Sequence, residues 1–174
     1  MKNKHLMMKD LQDLIQEKLN KMLVTNPARM DYYERYQKII DAYNSEQDRA
    51  TIEKTFMDLM DLANSLSQET KRYVREGFAS DEELSLYDML FKDNLSKKDI
   101  QQIKKVAVDL LQSIKSKIAE LDHWTDKQET KAAVDNLIRD TLWKELPESY
   151  DEVSISHYRQ QIYEYVYTRY ASVA

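Results

Sequence analysis

Cysteine is absent from the 174 residues, glycine occurs once, at Gly77, and proline twice, at Pro27 and Pro147. Each shortage excludes something. Without cysteine the chain has no disulfide, no thiolate nucleophile and no Cys-based zinc or iron–sulfur site. With a single glycine, neither a phosphate loop nor the three-glycine dinucleotide fingerprint can be built from its residues, and hairpins and bulges lose their usual supplier of positive φ. No apolar run approaches the roughly 18 residues of a membrane span, and Met1-Lys2-Asn3-Lys4-His5 leads into an amphipathic stretch, unlike the apolar block of a signal peptide. The expectation is a cytoplasmic protein with no membrane partner.

What is present are helix formers. Leu, Lys, Glu, Gln, Ala and Met recur through long stretches free of breakers, so the sequence predicts an all-α fold. Hydrophobic residues make up 42% and charged residues 33%, enough apolar material for a core and enough charge for solvated faces. The charge is mixed in sign, with a formal net of -5, which opposes general attraction to nucleic acid but leaves room for a local basic strip.

Apolar spacing of three and four predicts about seven helices packed as an irregular bundle in a single domain. The first covers about 4–23, with Met7, Leu11, Leu14, Ile15, Leu19 and Met22 on one face. Asn26 caps a second that runs to about Asn44, with Pro27 at its first position and Tyr32, Tyr36, Ile39, Ile40 and Tyr43 inward. A long third carries Ile52, Phe56, Leu59, Met60, Ala63, Leu66, Tyr73 and Val74, and Gly77 closes it in the left-handed conformation. Capping boxes at Ser80–Glu83, Ser96–Asp99 and Thr125–Gln128 open the next three. Those bury Leu84, Tyr87 and Phe91; then Ile100, Ile103, Ala107, Leu110, Ile114, Ile118 and Leu121; then Val134, Leu137, Ile138, Leu142 and Leu146, after which Pro147 stops the sixth. The last helix covers about 154–172.

Candidate chemistry is sparse. His5, His123 and His157 are scattered, with no His-Glu-x-x-His or Glu-x-x-His pair, so no metal site is expected. The triplets Glu69-Thr70-Lys71 and Glu129-Thr130-Lys131 have a nuclease-like order but fall inside helices, where no neighbouring strand supplies a second acid to share an ion. No catalytic or cofactor-binding residue is assigned. Lys97, Lys98, Lys104, Lys105 and Lys115, with Gln101 and Gln112, make one side of the fifth helix basic, which reads either as a solvated face or as a strip able to meet phosphates. No aromatic is interleaved there to stack on bases.

The last helix is the strongest local feature. Six of the twelve tyrosines lie between Tyr150 and Tyr170. Tyr158, Ile162, Val166, Tyr170 and Val173 form one stripe, Tyr163 and Tyr167 widen it, and Tyr165 points elsewhere. Such surface suits either a helix covered on several sides in its own bundle or a protein interface, for which Tyr158, Tyr163, Tyr167 and Tyr170 are the candidates.

Three stretches also carry a resemblance. Asn26 to Asn44 is similar to an Asn-Pro opening followed by a YYERYQ-II--YN helix; Asp81 to Leu90 to an acidic EEL-LYD-L segment; and Trp124-Thr125-Asp126-Lys127, running on through Leu142 to Pro147, to a DWT stretch whose helix ends in Leu and Pro. In this order they resemble the C-terminal helical region of the restriction, or motor, subunit of type I restriction–modification enzymes, over about residues 26–170. The departure is His123, where that pattern has Asp before the Trp. The resemblance implies a parent that is an ATP-dependent, magnesium-using deoxyribonuclease with nuclease and motor domains upstream. It further implies that this region docks the motor onto the methyltransferase and specificity subunits, touching DNA only indirectly. The chain then reads as a separate fragment with its own start methionine, residues 1–25 being an N-terminal helix and 26–174 the helical C-terminal domain, packed as one unit. ATP and magnesium belong to the parent's upstream domains, and a DNA-contacting role for the fifth helix is the alternative.

Overall fold

A computed structural model describes residues 2–171, and among them every regular element is helical. Eight α-helices follow one another: α1 (Lys2–Thr25), α2 (Met30–Ser45), α3 (Arg49–Glu69), α4 (Arg72–Arg75), α5 (Asp81–Leu90), α6 (Lys97–Glu120), α7 (Gln128–Glu145) and α8 (Glu152–Tyr170), with a 3₁₀ turn at Pro27–Arg29. The chain divides into two compact units, Met1–Asp81 and Glu82–Ala174.

In the first unit α3 packs on both α1 and α2. Its buried residues, Ile52, Thr55, Leu59, Leu62, Leu66 and Glu69, alternate steps of three and four, the seam of helices that pack side by side. Met8, Ile15, Leu19 and Met22 of α1 and Tyr36 of α2 complete the core. Tyr32 meets Glu69 while Arg35 meets Ser65, so α2 and α3 run antiparallel. The seven-residue step from Met8 to Ile15 to Met22 explains a correction: Met7 and Leu14, expected inward, are exposed.

Asn26 accepts from the Ala28 amide at 3.1 Å as expected, but the turn it caps is 3₁₀ and α2 starts only at Met30. The predicted third helix is two helices. At the break the Thr70 hydroxyl bonds back to the Ser67 carbonyl at 2.7 Å, and the Lys71 amide bonds to the Gln68 carbonyl, three residues back instead of four. Met60 and Val74, expected inward, are exposed. Gly77 has φ +87, and the Phe78 amide reaches the Tyr73 carbonyl while the Gly77 amide reaches Val74, the paired bonds of a Schellman ending.

In the second unit α7 packs on α6 and α8. Ile103, Val106, Ala107, Leu110, Leu111, Ile114 and Ile118 of α6 are buried, as are Val134, Ile138 and Leu142 of α7 and Ile155, Ile162, Tyr165, Val166 and Tyr170 of α8. Ser96 caps α6 by accepting from the Asp99 amide, as expected. The cap expected at Thr125 does not form: α7 starts at Gln128, because 121–127 is a turn in which His123 takes φ +47 and Trp124 enters the core. α8 starts at Glu152, two residues before the predicted start, with Asp151 capping it on the Ser154 amide.

Candidate functional site

The tyrosines of α8 separate into two sets. Tyr170 is buried; its hydroxyl donates to Glu82, whose other partners are Lys115 at 3.2 Å and Arg169 at 3.4 Å. Burial works against the Glu82 charge, but the Tyr170 hydrogen bond and the two cations outweigh it and hold the carboxyl below its ordinary value. Burial and the same acid push the Tyr170 phenol up, so it stays a neutral donor. Tyr165, expected elsewhere on the helix, is buried as well. Val173 of the expected stripe lies outside the described residues.

Tyr163 and Tyr167 form the second set. Trp124, 1% exposed, donates its indole N–H to the Tyr170 carbonyl at 3.1 Å and presents its ring edge-on to both tyrosines, with centroids 6.2 and 5.8 Å away. Thr130 holds the loop from the other side by donating to the Trp124 carbonyl. Tyr163 is half-buried and Tyr167 is 41% exposed, so the cluster is anchored inside and open at one edge. Tyr158, also half-buried, packs at 5.6 Å on Tyr150, whose hydroxyl donates to the Leu90 carbonyl. Of the four tyrosines singled out, Tyr163 and Tyr167 therefore belong together, and Tyr158 and Tyr170 serve internal contacts.

Sequence reasoning misses Trp143. The period that buries Leu142 turns Trp143 outward, where it is 61% exposed, and its place one residue off the Val134, Ile138, Leu142 stripe is the available signal.

The lysine face of α6 is only partly available to a partner. Lys97, Lys98 and Lys105 are exposed, whereas Lys104 lies 5.6 Å from the Tyr87 ring centroid and Lys115 is paired with Glu82.

In the first unit a buried ionic cluster occupies one end of the three-helix bundle. Arg29 Nε donates to Glu69 at 3.0 Å, its two terminal nitrogens donate to Asp81 at 2.9 and 2.6 Å, and Glu69 also accepts from Arg72 and from the Tyr32 hydroxyl. Burial penalises the Glu69 charge, yet Arg72 and Arg29 overcome it and lower its pKa. The first nuclease-like triplet is thus committed to structure through Glu69, and Glu129 of the second lies exposed in the first turn of α7. His5 pairs with the Tyr43 hydroxyl, His123 lies 3.4 Å from Asp122, and His157 packs beside Tyr158. Among the described residues no three His, Asp or Glu side chains are grouped to hold a metal ion, and no helix is long and apolar enough to cross a membrane. A groove beside α2 and α3, lined by Asp31, Glu34, Arg35, Lys38, Ile39 and Asp58, is open and mixed in charge.

Comparison with curated proteins and with solved structures gave no match. A family model does match, over residues 1–168, and it includes all three stretches that carry the resemblance. The chain belongs to the family described as type I restriction enzyme HindI endonuclease subunit-like, C-terminal.

Proposed function

We propose that this is a non-catalytic assembly domain that docks an ATP-dependent DNA-translocating endonuclease subunit onto its methyltransferase and specificity partners. The observation that carries it is the Trp124–Tyr163–Tyr167 cluster: a rigid aromatic group locked from inside and open along one edge. Aromatic side chains with few rotatable bonds and a fixed backing give large contact area at low entropy cost, the character of interface anchors. Exposed Trp143 adds a second aromatic surface available to a partner. Membership of a family of C-terminal regions from endonuclease subunits supports assembly with other subunits. On this reading ATP and magnesium act in the motor and nuclease parts of such subunits, and DNA is reached through them.

The test is size-exclusion chromatography of the chain mixed with its cognate methyltransferase subunit at micromolar concentration. Co-elution is expected, and Tyr167→Ala should weaken the complex roughly tenfold or more. Two separate peaks for the unaltered proteins contradict the proposal. The alternative, DNA contact through α6, rests on Lys97, Lys98 and Lys105; it requires a shift of labelled duplex at low salt that Lys105→Glu reduces.

A further inference from the structure

One guanidinium in the first unit holds both ends of a chain segment. Arg29 bonds Glu69, the last residue of α3, and Asp81, twelve residues further on. Between them run the break at Thr70 and Lys71, the single turn of α4 and the Gly77 ending, and of residues 70–80 only Phe78 is buried. Val74, on α4, is 62% exposed. A segment that buries one side chain over eleven residues has little apolar packing of its own and opens at low free energy unless its ends are fixed. The two arms of the clasp differ. Arg29 and Glu69 are 3% and 5% exposed, whereas the Asp81 side chain is 27% exposed, so water reaches the second arm and not the first.

We infer that residues 70–81 are a strap, closed at its far end by the two-pronged Arg29–Asp81 bond and held near its start by Arg72 on Glu69 and Arg75 on the Gln68 carbonyl, and that losing the exposed Asp81 arm opens it, with Arg72 letting go, while α1, α2 and α3 stay folded with Arg29 still on Glu69. Opening frees Phe78 and α4, and because Glu82 begins the second unit, the freed residues join the covalent connection to it. A planar fork with two parallel bonds suits a clasp, since it holds direction as well as distance. The closed strap is a stretch of fixed geometry; the open one is flexible tether.

Limited trypsin digestion of the full chain, with fragments assigned by mass spectrometry, tests this. Lys71, Arg72 and Arg75 supply cleavage points inside the strap, and Lys38 and Lys54 report on the bundle. Asp81→Asn, which keeps shape and removes the charge, should speed cleavage within the strap about tenfold or more and leave Lys38 and Lys54 at the unaltered rate. Unchanged strap cleavage overturns the inference, and so does an equal rise at all sites, which means that bundle and strap open together. Amide hydrogen exchange on the unaltered chain provides a second reading that needs no variant. The Gly77 and Phe78 amides should exchange faster than those of Leu59 and Leu62, and equal protection counts against the strap.

Discussion

The two tryptophans carry opposite roles that single substitutions separate. Trp124 is buried, bonded to the Tyr170 carbonyl and ringed by tyrosines, so Trp124→Ala should cost about 3–5 kcal/mol of the second unit's stability in denaturant titration. Trp143 stands in solvent, and Trp143→Ala should leave stability within about 0.5 kcal/mol while weakening subunit binding. Equal destabilisation by both would refute this division. Glu69 adds a pH-dependent term. Its folded pKa lies below the ordinary 4.5, so its stabilisation is complete above that value and fades as pH falls through the lower folded value. Stability measured by denaturant titration with circular dichroism should therefore fall as pH drops from the ordinary carboxylate value through the lower folded one, with Glu82 adding to the same limb in the second unit. Glu69→Gln should cost about 3 kcal/mol at neutral pH, because two arginines lose a partner, and should flatten the acid slope of the first unit. A slope identical to that of the unaltered chain would show that Glu69 carries no linkage.

Among the elements, Gly77 gives the sharpest test. A Cβ built there meets nothing within 4 Å, so Gly77→Ala measures backbone strain at φ +87 without a clash, and about 1 kcal/mol of destabilisation in thermal unfolding is expected. No loss would mean that the α4 ending relaxes to another conformation. The same position shows what is legible in sequence: a lone glycine after a helical run identifies a left-handed ending, as a Ser-x-x-acid opening identifies the start at Ser96. The break at Thr70 is not legible, since no glycine or proline marks it. It sits where Glu69 turns inward to Arg29, a partner forty residues away that local pattern does not reveal. The shift from Met7 to Met8 has a related origin, because a seam set by neighbouring helices follows a seven-residue repeat that a single-helix face drifts away from. Trp124 marks the resemblance in sequence and is also core, a role that emerges only where the tertiary structure places the 121–127 turn under α8.

For the whole molecule, the residue types that are missing shape the outcome more than any motif. A chain nearly without glycine and wholly without cysteine forms helices joined by short turns, and charged groups pair with one another in a buried cluster around Arg29 and a partly exposed one around Glu82. The docking role proposed above has one sign in the sequence, the excess of tyrosine on α8. The residues that would do it are not, because Tyr163 and Tyr167 differ from Tyr170 only in which side of the helix Trp124 and Glu82 occupy. The central claim is that this domain holds an endonuclease subunit to its partners, and competition tests it most directly. Excess of the 174-residue chain, added to the reconstituted restriction enzyme before the endonuclease subunit, should suppress ATP-dependent DNA cleavage in proportion to its concentration while leaving methylation unchanged. Cleavage that persists undiminished at large excess would contradict the account.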